Sequence, residues 1–212
     1  MDTLEIIGAP QSVFVRTVRL ACEEKGVAYR LISANPHSQA VLAINPFGRI
    51  PVLRHGDVTL FESRAITTYV DQAFGGPALR PSGAAECARM EQWISALNAE
   101  ILPTFVAYTR ANYRPTLSDG SLDRTVIDPL LPKVRRHIEL LAETVSTTHH
   151  LAGSHFTLAD MGLMPMLAYL RGLPESGGMV LGARALASYF ERHSLRPSWI
   201  ATEPPPMSEL AR

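Results

Sequence analysis

Cysteine is nearly missing from this chain: Cys22 and Cys87 are the only two in 212 residues, far apart and in no CxxC pair. Two such residues cannot build a disulfide framework or the ligand set of a cysteine-rich zinc site. An excess of either charge is missing too, with twenty basic residues against twenty acidic ones. A neutral chain without a basic cluster lacks the face that nucleic-acid phosphates require. It equally lacks the patch that draws a protein to an anionic membrane surface. No apolar run reaches the roughly 18 residues of a membrane span. The opening segment, MDTLEIIGAP, has no basic stretch followed by a long apolar core, so no signal peptide is expected there. These absences lead to the expectation of a reducing, cytoplasmic setting.

What is present is a chain that can bury a sizeable core, 46% of it hydrophobic. Residues 3–7 and 28–33 read as strands. Between them Phe14, Val18, Ala21 and Cys22 fall on one stripe of a helix over 13–25. Gly26 stands where a C-terminal glycine is expected. Short connections favour a parallel pair with a right-handed crossover. A short helix is expected near 39–43. Strands at 51–54 and 57–61 are expected to meet in a hairpin at His55-Gly56, followed by a helix over 64–74. The order βαβ then ββα is that of a thioredoxin-like domain, placed at residues 1–76. Residues 75–83, GGPALRPSG, break all periodicity and read as a linker.

Beyond the linker the chain reads as all helical, a second domain over 84–203, so the fold class is α+β. Met90, Trp93, Leu97 and Ile101 form one stripe, with Pro103 expected to kink that helix. Leu130, Val134, Ile138, Leu141 and Val145 form a second. Helices also fit 158–170 and 183–193. Thr157-Leu-Ala-Asp160 is a capping-box variant with a folding role. Met161, Met164 and Met166 read as core. His149-His150 reads as a solvated turn. The tail around Pro204-Pro205-Pro206 reads as extended or mobile.

The most specific stretch is 45–66: Asn-Pro-Phe-Gly-Arg-Ile-Pro-Val-Leu, seven residues, then Phe-Glu-Ser-Arg-Ala-Ile. It resembles the glutathione-site signature of glutathione S-transferases, closest to the phi type and its bacterial relatives. Gly8-Ala-Pro-Gln-Ser12 with Arg16 and Val18 resembles that type's start. The segment 151–160 resembles its helical-domain signature, and Arg196-Pro-Ser-Trp199 its C-terminal helix. The resemblance spans nearly the whole chain.

That resemblance implies roles residue by residue. Pro51 would be cis, with the Ile50 backbone pairing with the cysteinyl backbone of glutathione as in strand addition. On spacing alone, an ordinary trans proline opening an edge strand is the competing reading. Ser63 reads as an N-cap on sequence; the family adds a role for it and its helix start in receiving the γ-glutamyl carboxylate. Glu62 would hold the ammonium of the same moiety. Ser12 reads as an N-cap as well, and in the family donates a hydrogen bond to the glutathione sulfur. A free thiol has a pKa near 8.5, so only about 3% is thiolate at neutral pH. Lowering it by about two units takes roughly 2.7 kcal/mol, the order a hydroxyl donor and a helix N-terminus supply together.

Arg16 matches a family arginine or is a solvent-facing or ion-paired helix residue. The first tyrosine is Tyr29 and neither cysteine lies at the first helix start, which disfavours tyrosine-type and cysteine-type sites. Cys22, on the apolar stripe, reads as core. Pro36-His37 departs from the basic His-Lys pair of the phi type. His37 and Arg49 are therefore the candidates for the glycyl carboxylate.

The implied activity is attack by bound glutathione, as co-substrate, on a small, mostly apolar electrophile, with no metal and no covalent enzyme intermediate. The second-substrate pocket is expected between the domains, with Ala9, Pro10, Phe105, Tyr108 and Thr109 as candidates. A homodimer with Arg64 near the two-fold contact is also implied. Rival readings are a glutathione-dependent isomerase, dehalogenase or lyase, and a non-catalytic glutathione-binding protein.

Overall fold

Four short strands begin the architecture: β1 (Leu4–Ile7), β2 (Tyr29–Ile32), β3 (Val52–His55) and β4 (Val58–Phe61). They form one sheet in the order β2-β1-β3-β4, with β1 and β2 parallel and the other two pairings antiparallel. The computed structural model describes residues 2–113 and 117–206. The helices of this part are α1 (Val13–Lys25), α2 (Gln39–Leu42) and α3 (Ser63–Ala73). α1 and α3 pack side by side. The chain divides into two compact units, Met1–Arg80 with Leu195–Arg212, and Pro81–Ser194.

The first unit runs past the expected end at 76 and takes in a C-terminal segment as well. Asp71 of α3 accepts from the Leu79 N–H at 2.9 Å and from Arg80 Nε at 3.0 Å, and pairs with buried Lys25 at 3.1 Å. These bonds fasten the first part of the expected linker onto this unit. Burial pushes the Asp71 carboxyl up, but the Leu79, Lys25 and Arg80 bonds outweigh it and hold it below the usual carboxylate range.

The C-terminal helix, α11 (Pro197–Ala201), belongs here too, and not to a helical domain running to 203. Three α1 side chains hold it. Arg16 donates to the Trp199 carbonyl at 2.9 Å and lies 3.4 Å over the Trp199 ring. Arg19 donates to the Thr202 carbonyl at 3.1 Å. Glu24 accepts both Arg196 bonds at 2.6 Å. Such a bidentate arginine–carboxylate pair is the strong form of the interaction.

The second unit is helical: α4 (Ala84–Ala96), α5 (Leu102–Tyr113), α6 (Arg124–Ile127), α7 (Leu131–Thr148), α8 (Leu158–Arg171), α9 (Pro174–Gly182) and α10 (Arg184–Ser194). Between α4 and α5 the backbone widens into a π turn over Leu97–Ile101. It lies just before Pro103, whose ring would collide with the carbonyl four residues back in a regular helix. α8 is buried nearly all round, its three methionines included, as a helix apolar on every face must be. Thr157 and Asp160 form the expected reciprocal cap at its start. Asp160 also accepts from the Leu151 N–H and the Tyr189 hydroxyl, both at 2.9 Å. Burial pushes its carboxyl up against these bonds.

α9 carries no apolar periodicity and two adjacent glycines, so pattern reading passes over it. Pro174 opens it, and the buried Ser176 hydroxyl donates to the Leu170 carbonyl at 2.6 Å. Among the described residues no helix is long and apolar enough to cross a membrane.

Candidate functional site

Ile32, Ile7, Val52 and Phe61 form one row across all four strands. β1, β2 and β4 leave the sheet at this row and β3 enters it. The segments beyond the row therefore emerge at one edge: Gly8 to Ser12, 33–38, Ile50-Pro51, and Glu62-Ser63. Ile7 and Val52 pack there on Val41 of α2, with Ile44 and Ile50 against the same cluster. A side chain at Gly8 would meet Ile50 at 3.1 Å, so the β1–α1 turn and the residue before Pro51 touch.

Ser12 caps α1. Its oxygen accepts from the Val15 N–H at 3.4 Å, a long bond, and its backbone N–H closes the turn to the Ala9 carbonyl at 3.0 Å. A hydroxyl has one donor and two acceptor positions, so capping leaves the Ser12 O–H able to donate elsewhere. Ala9, Pro10 and Ser12 are all half-buried. Arg16, one turn on, is buried against Trp199, which places it in the fastening of α11.

The Ile50-Pro51 peptide is cis. The loop before it is clamped by buried Asn45: its Nδ2 donates to the Arg49 carbonyl at 2.8 Å, and its Oδ1 accepts from the Phe47 N–H at 3.0 Å. Asn45 was not among the expected residues, although an Asn-Pro-x-Gly turn offers the signal. His37 donates its backbone N–H to the Gly48 carbonyl at 2.8 Å, and its ring lies where a Gly48 side chain would stand. Gly48 has φ +66, so only glycine suits both its backbone and its neighbour. His37 and Arg49 are both exposed, and Gly48, which His37 contacts, directly precedes Arg49.

The N-cap of α3 is Glu62, not Ser63. The Glu62 carbonyl accepts from the Ile66 N–H at 3.0 Å, and Ser63 is the first helical residue. The backbone turns at Glu62 with φ +69, and a second non-glycine positive φ in this unit belongs to His37. Ser63 therefore presents its own N–H at the positive end of an 11-residue helix, where the first N–H groups have no intrahelical acceptor. Arg64 is half-buried, its carbonyl taken by the Thr67 and Thr68 hydroxyls. Burial pushes the Cys22 thiol up to about 12, which removes it as a nucleophile.

The second-substrate candidates on α5 need correction. Phe105 and Tyr108 are fully buried, Phe105 edge-on to His137 and Tyr108 donating to Glu175 Oε2 at 3.1 Å. The Thr109 hydroxyl donates to the Val106 carbonyl of its own helix at 3.2 Å. Phe105 and Tyr108 are committed to the helical core as the bulky members of that face, and Thr109 is buried beside them. The opposite face of α5 is open. Val106, Ala107 and Ala111 there, with Val126 of α6, line a cleft of about 540 Å³ that also takes in Arg110 and Asp123.

Two family models match: the glutathione S-transferase N-terminal domain over residues 6–78 and the C-terminal domain over 91–192. Glutathione S-transferase 3 of Zea mays is 30% identical, with both chains covered in full. Glutathione transferase F7 from Populus trichocarpa superposes with a TM-score of 0.82 at 27% identity, covering 94% of this chain and 97% of that one. A theta class glutathione S-transferase from Xanthomonas axonopodis pv. citri, with glutathione bound, gives 0.82 at 25% identity, covering 95% and 97%. The fold and the sheet-edge site define a protein with a thioredoxin-like unit and a helical unit. The chain belongs to the glutathione S-transferase family, among relatives of the plant F type.

Proposed function

We propose that this chain is a glutathione transferase that activates the thiol with Ser12 and joins it to a small, largely apolar electrophile. The observation that carries the reading is the convergence of four backbone segments at one edge of the sheet, each broken by a proline, a glycine or a positive φ. Non-glycine residues at positive φ, such as His37 and Glu62, gather where a ligand is gripped. Glutathione would lie along that edge. Its cysteinyl backbone pairs with Ile50 beside Pro51, and its γ-glutamyl carboxylate meets Ser63 and the α3 N-terminus. Glu62 takes the ammonium, and His37 with Arg49 takes the glycyl carboxylate.

The Ser12 O–H donates to the sulfur, and the N-terminus of α1 adds its positive end. Both favour the thiolate over the thiol. The sulfur then attacks the electrophile, and positioning supplies the remainder of the rate. Ala9 and Pro10 remain candidates for contact with the second substrate, and the open face of α5 replaces Phe105, Tyr108 and Thr109. The protein works in the cytoplasm as a homodimer with Arg64 near the two-fold contact.

The test is conjugation of glutathione to chlorodinitrobenzene by wild type and Ser12→Ala, with glutathione affinity measured by calorimetry. Turnover by wild type and a loss of about tenfold or more in the variant, at similar affinity, is expected. Binding without turnover by wild type would favour a glutathione-binding protein, and unchanged turnover in the variant would remove Ser12 from catalysis.

A further inference from the structure

We infer that Arg110 makes the cleft of the helical unit selective for apolar molecules that carry a carboxylate. If the transferase reading above holds, the preferred electrophiles are therefore anionic. The cleft, about 540 Å³, is of the size that holds a small ligand. Its wall is aliphatic, from Val106, Ala107 and Val126, and both valines are markedly exposed, at 37% and 49%.

Two charged residues interrupt that wall, and they differ in what they already do. Asp123 caps α6: its Oδ1 accepts from the Thr125 N–H at 3.0 Å and from the Thr125 hydroxyl at 2.6 Å. Arg110 is exposed and, among the described residues, has no hydrogen bond, ion pair or ring contact. The neighbouring Arg124 shows the contrast, held by Glu175 at 2.6 Å and Asp128 at 2.5 Å. Among the described residues, the cleft's anion is committed to the fold and its cation has no partner.

A guanidinium presents a planar fork of donors that matches a carboxylate with two parallel bonds. A ligand seated on the aliphatic wall would itself shield such a bond from water and so strengthen it. A neutral apolar ligand would use the wall and leave Arg110 idle. An anionic one uses both.

The chemistry stays that of aromatic substitution. The thiolate sulfur attacks the ring carbon bearing chlorine, a C–S bond forms, and the C–Cl bond breaks with chloride taking the electron pair. The thiol proton has passed to solvent.

The experiment compares chlorodinitrobenzoate with its methyl ester as glutathione acceptors, in wild type, Arg110→Gln and Arg110→Lys. Unreactive dinitrobenzoate is titrated calorimetrically without glutathione. Arg110→Gln is expected to lower kcat/KM for the carboxylate about fivefold and to leave the ester within about twofold. Arg110→Lys retains part of the difference. Dinitrobenzoate binds wild type and is lost in Arg110→Gln. Equal effects on acid and ester, or dinitrobenzoate binding indifferent to Arg110 or absent from wild type, overturn the inference. If neither electrophile is turned over yet dinitrobenzoate binding depends on Arg110, the transferase reading fails and the carboxylate site stands. If both are conjugated without regard to charge, the reverse holds.

Discussion

The sheet unit and the helical unit build their concave surfaces by different means. At the sheet edge the candidate residues sit where the backbone is forced out of regular structure: a cis proline at Pro51, positive φ at His37 and Glu62, and a glycine at Gly48 with a ring in place of its side chain. In the helical unit the cleft lies on a regular helix, and only the choice of face distinguishes its wall from the core. The first kind of site leaves particular residue types behind. The second leaves no mark. A consequence is that sheet-edge substitutions at exposed positions should change chemistry and spare stability, while substitutions in the helical unit's polar centre should do the opposite.

The largest expected effect tests the second half of that contrast. Asp160 is fully buried and accepts from two backbone N–H groups and two hydroxyls. Asp160→Ala strands those donors and is expected to cost about 3 kcal/mol or more in urea denaturation. Glutathione affinity of the folded fraction should be unchanged. Next comes Ser12→Ala, with its loss of about tenfold or more in kcat/KM. Its stability cost should fall at the low end of about 0.5–2 kcal/mol for a lost cap, because the Val15 bond is long at 3.4 Å. A Ser12→Ala protein that loses more stability than activity would break the contrast.

Smaller is the effect at the glycyl end. His37→Ala and Arg49→Ala should each raise KM for glutathione by up to about fivefold and leave kcat alone, since exposed charges contribute at most about 1 kcal/mol. The smallest effect is on pH dependence. Burial, with Lys133 and Arg136 nearby, holds the His137 pKa below its ordinary value against the pull of Glu100. The unfolded chain then takes up a proton before the folded one as pH falls through about 6.5, so the neutral ring's contribution is full above that pH and lost below it. The drop in Tm between about pH 7.5 and 5.5 should be smaller in His137→Gln than in wild type.

Much of this was legible in the residues, for reasons that differ from place to place. The strands, α1 and α3 follow from apolar periodicity and from Gly26, which closes α1 in the left-handed region. The sheet-edge segments were legible because prolines and glycines mark backbone that few other residue types suit. The α5 face was not. Residues 102, 105 and 109 and residues 103, 106 and 110 share the same helical spacing, and both sets contain apolar members. Size favours the bulkier set as a wall in reading and as a core in folding, so Phe105 and Tyr108 were expected at a ligand and are packed instead. The Ser63 cap was off by one residue because Glu62 takes a positive φ that its residue type does not announce. The allegiance of α11 was hidden because it depends on Arg16, Arg19 and Glu24, more than 170 residues away in sequence.

The central claim is that bound glutathione keeps its sulfur ionised at neutral pH with help from the Ser12 hydroxyl. The most direct test follows the ultraviolet absorbance of the thiolate in the glutathione complex as a function of pH. Wild type should titrate about two units below the free thiol's value near 8.5, and Ser12→Ala should return most of the way toward it. A wild-type curve that coincides with free glutathione would contradict the account.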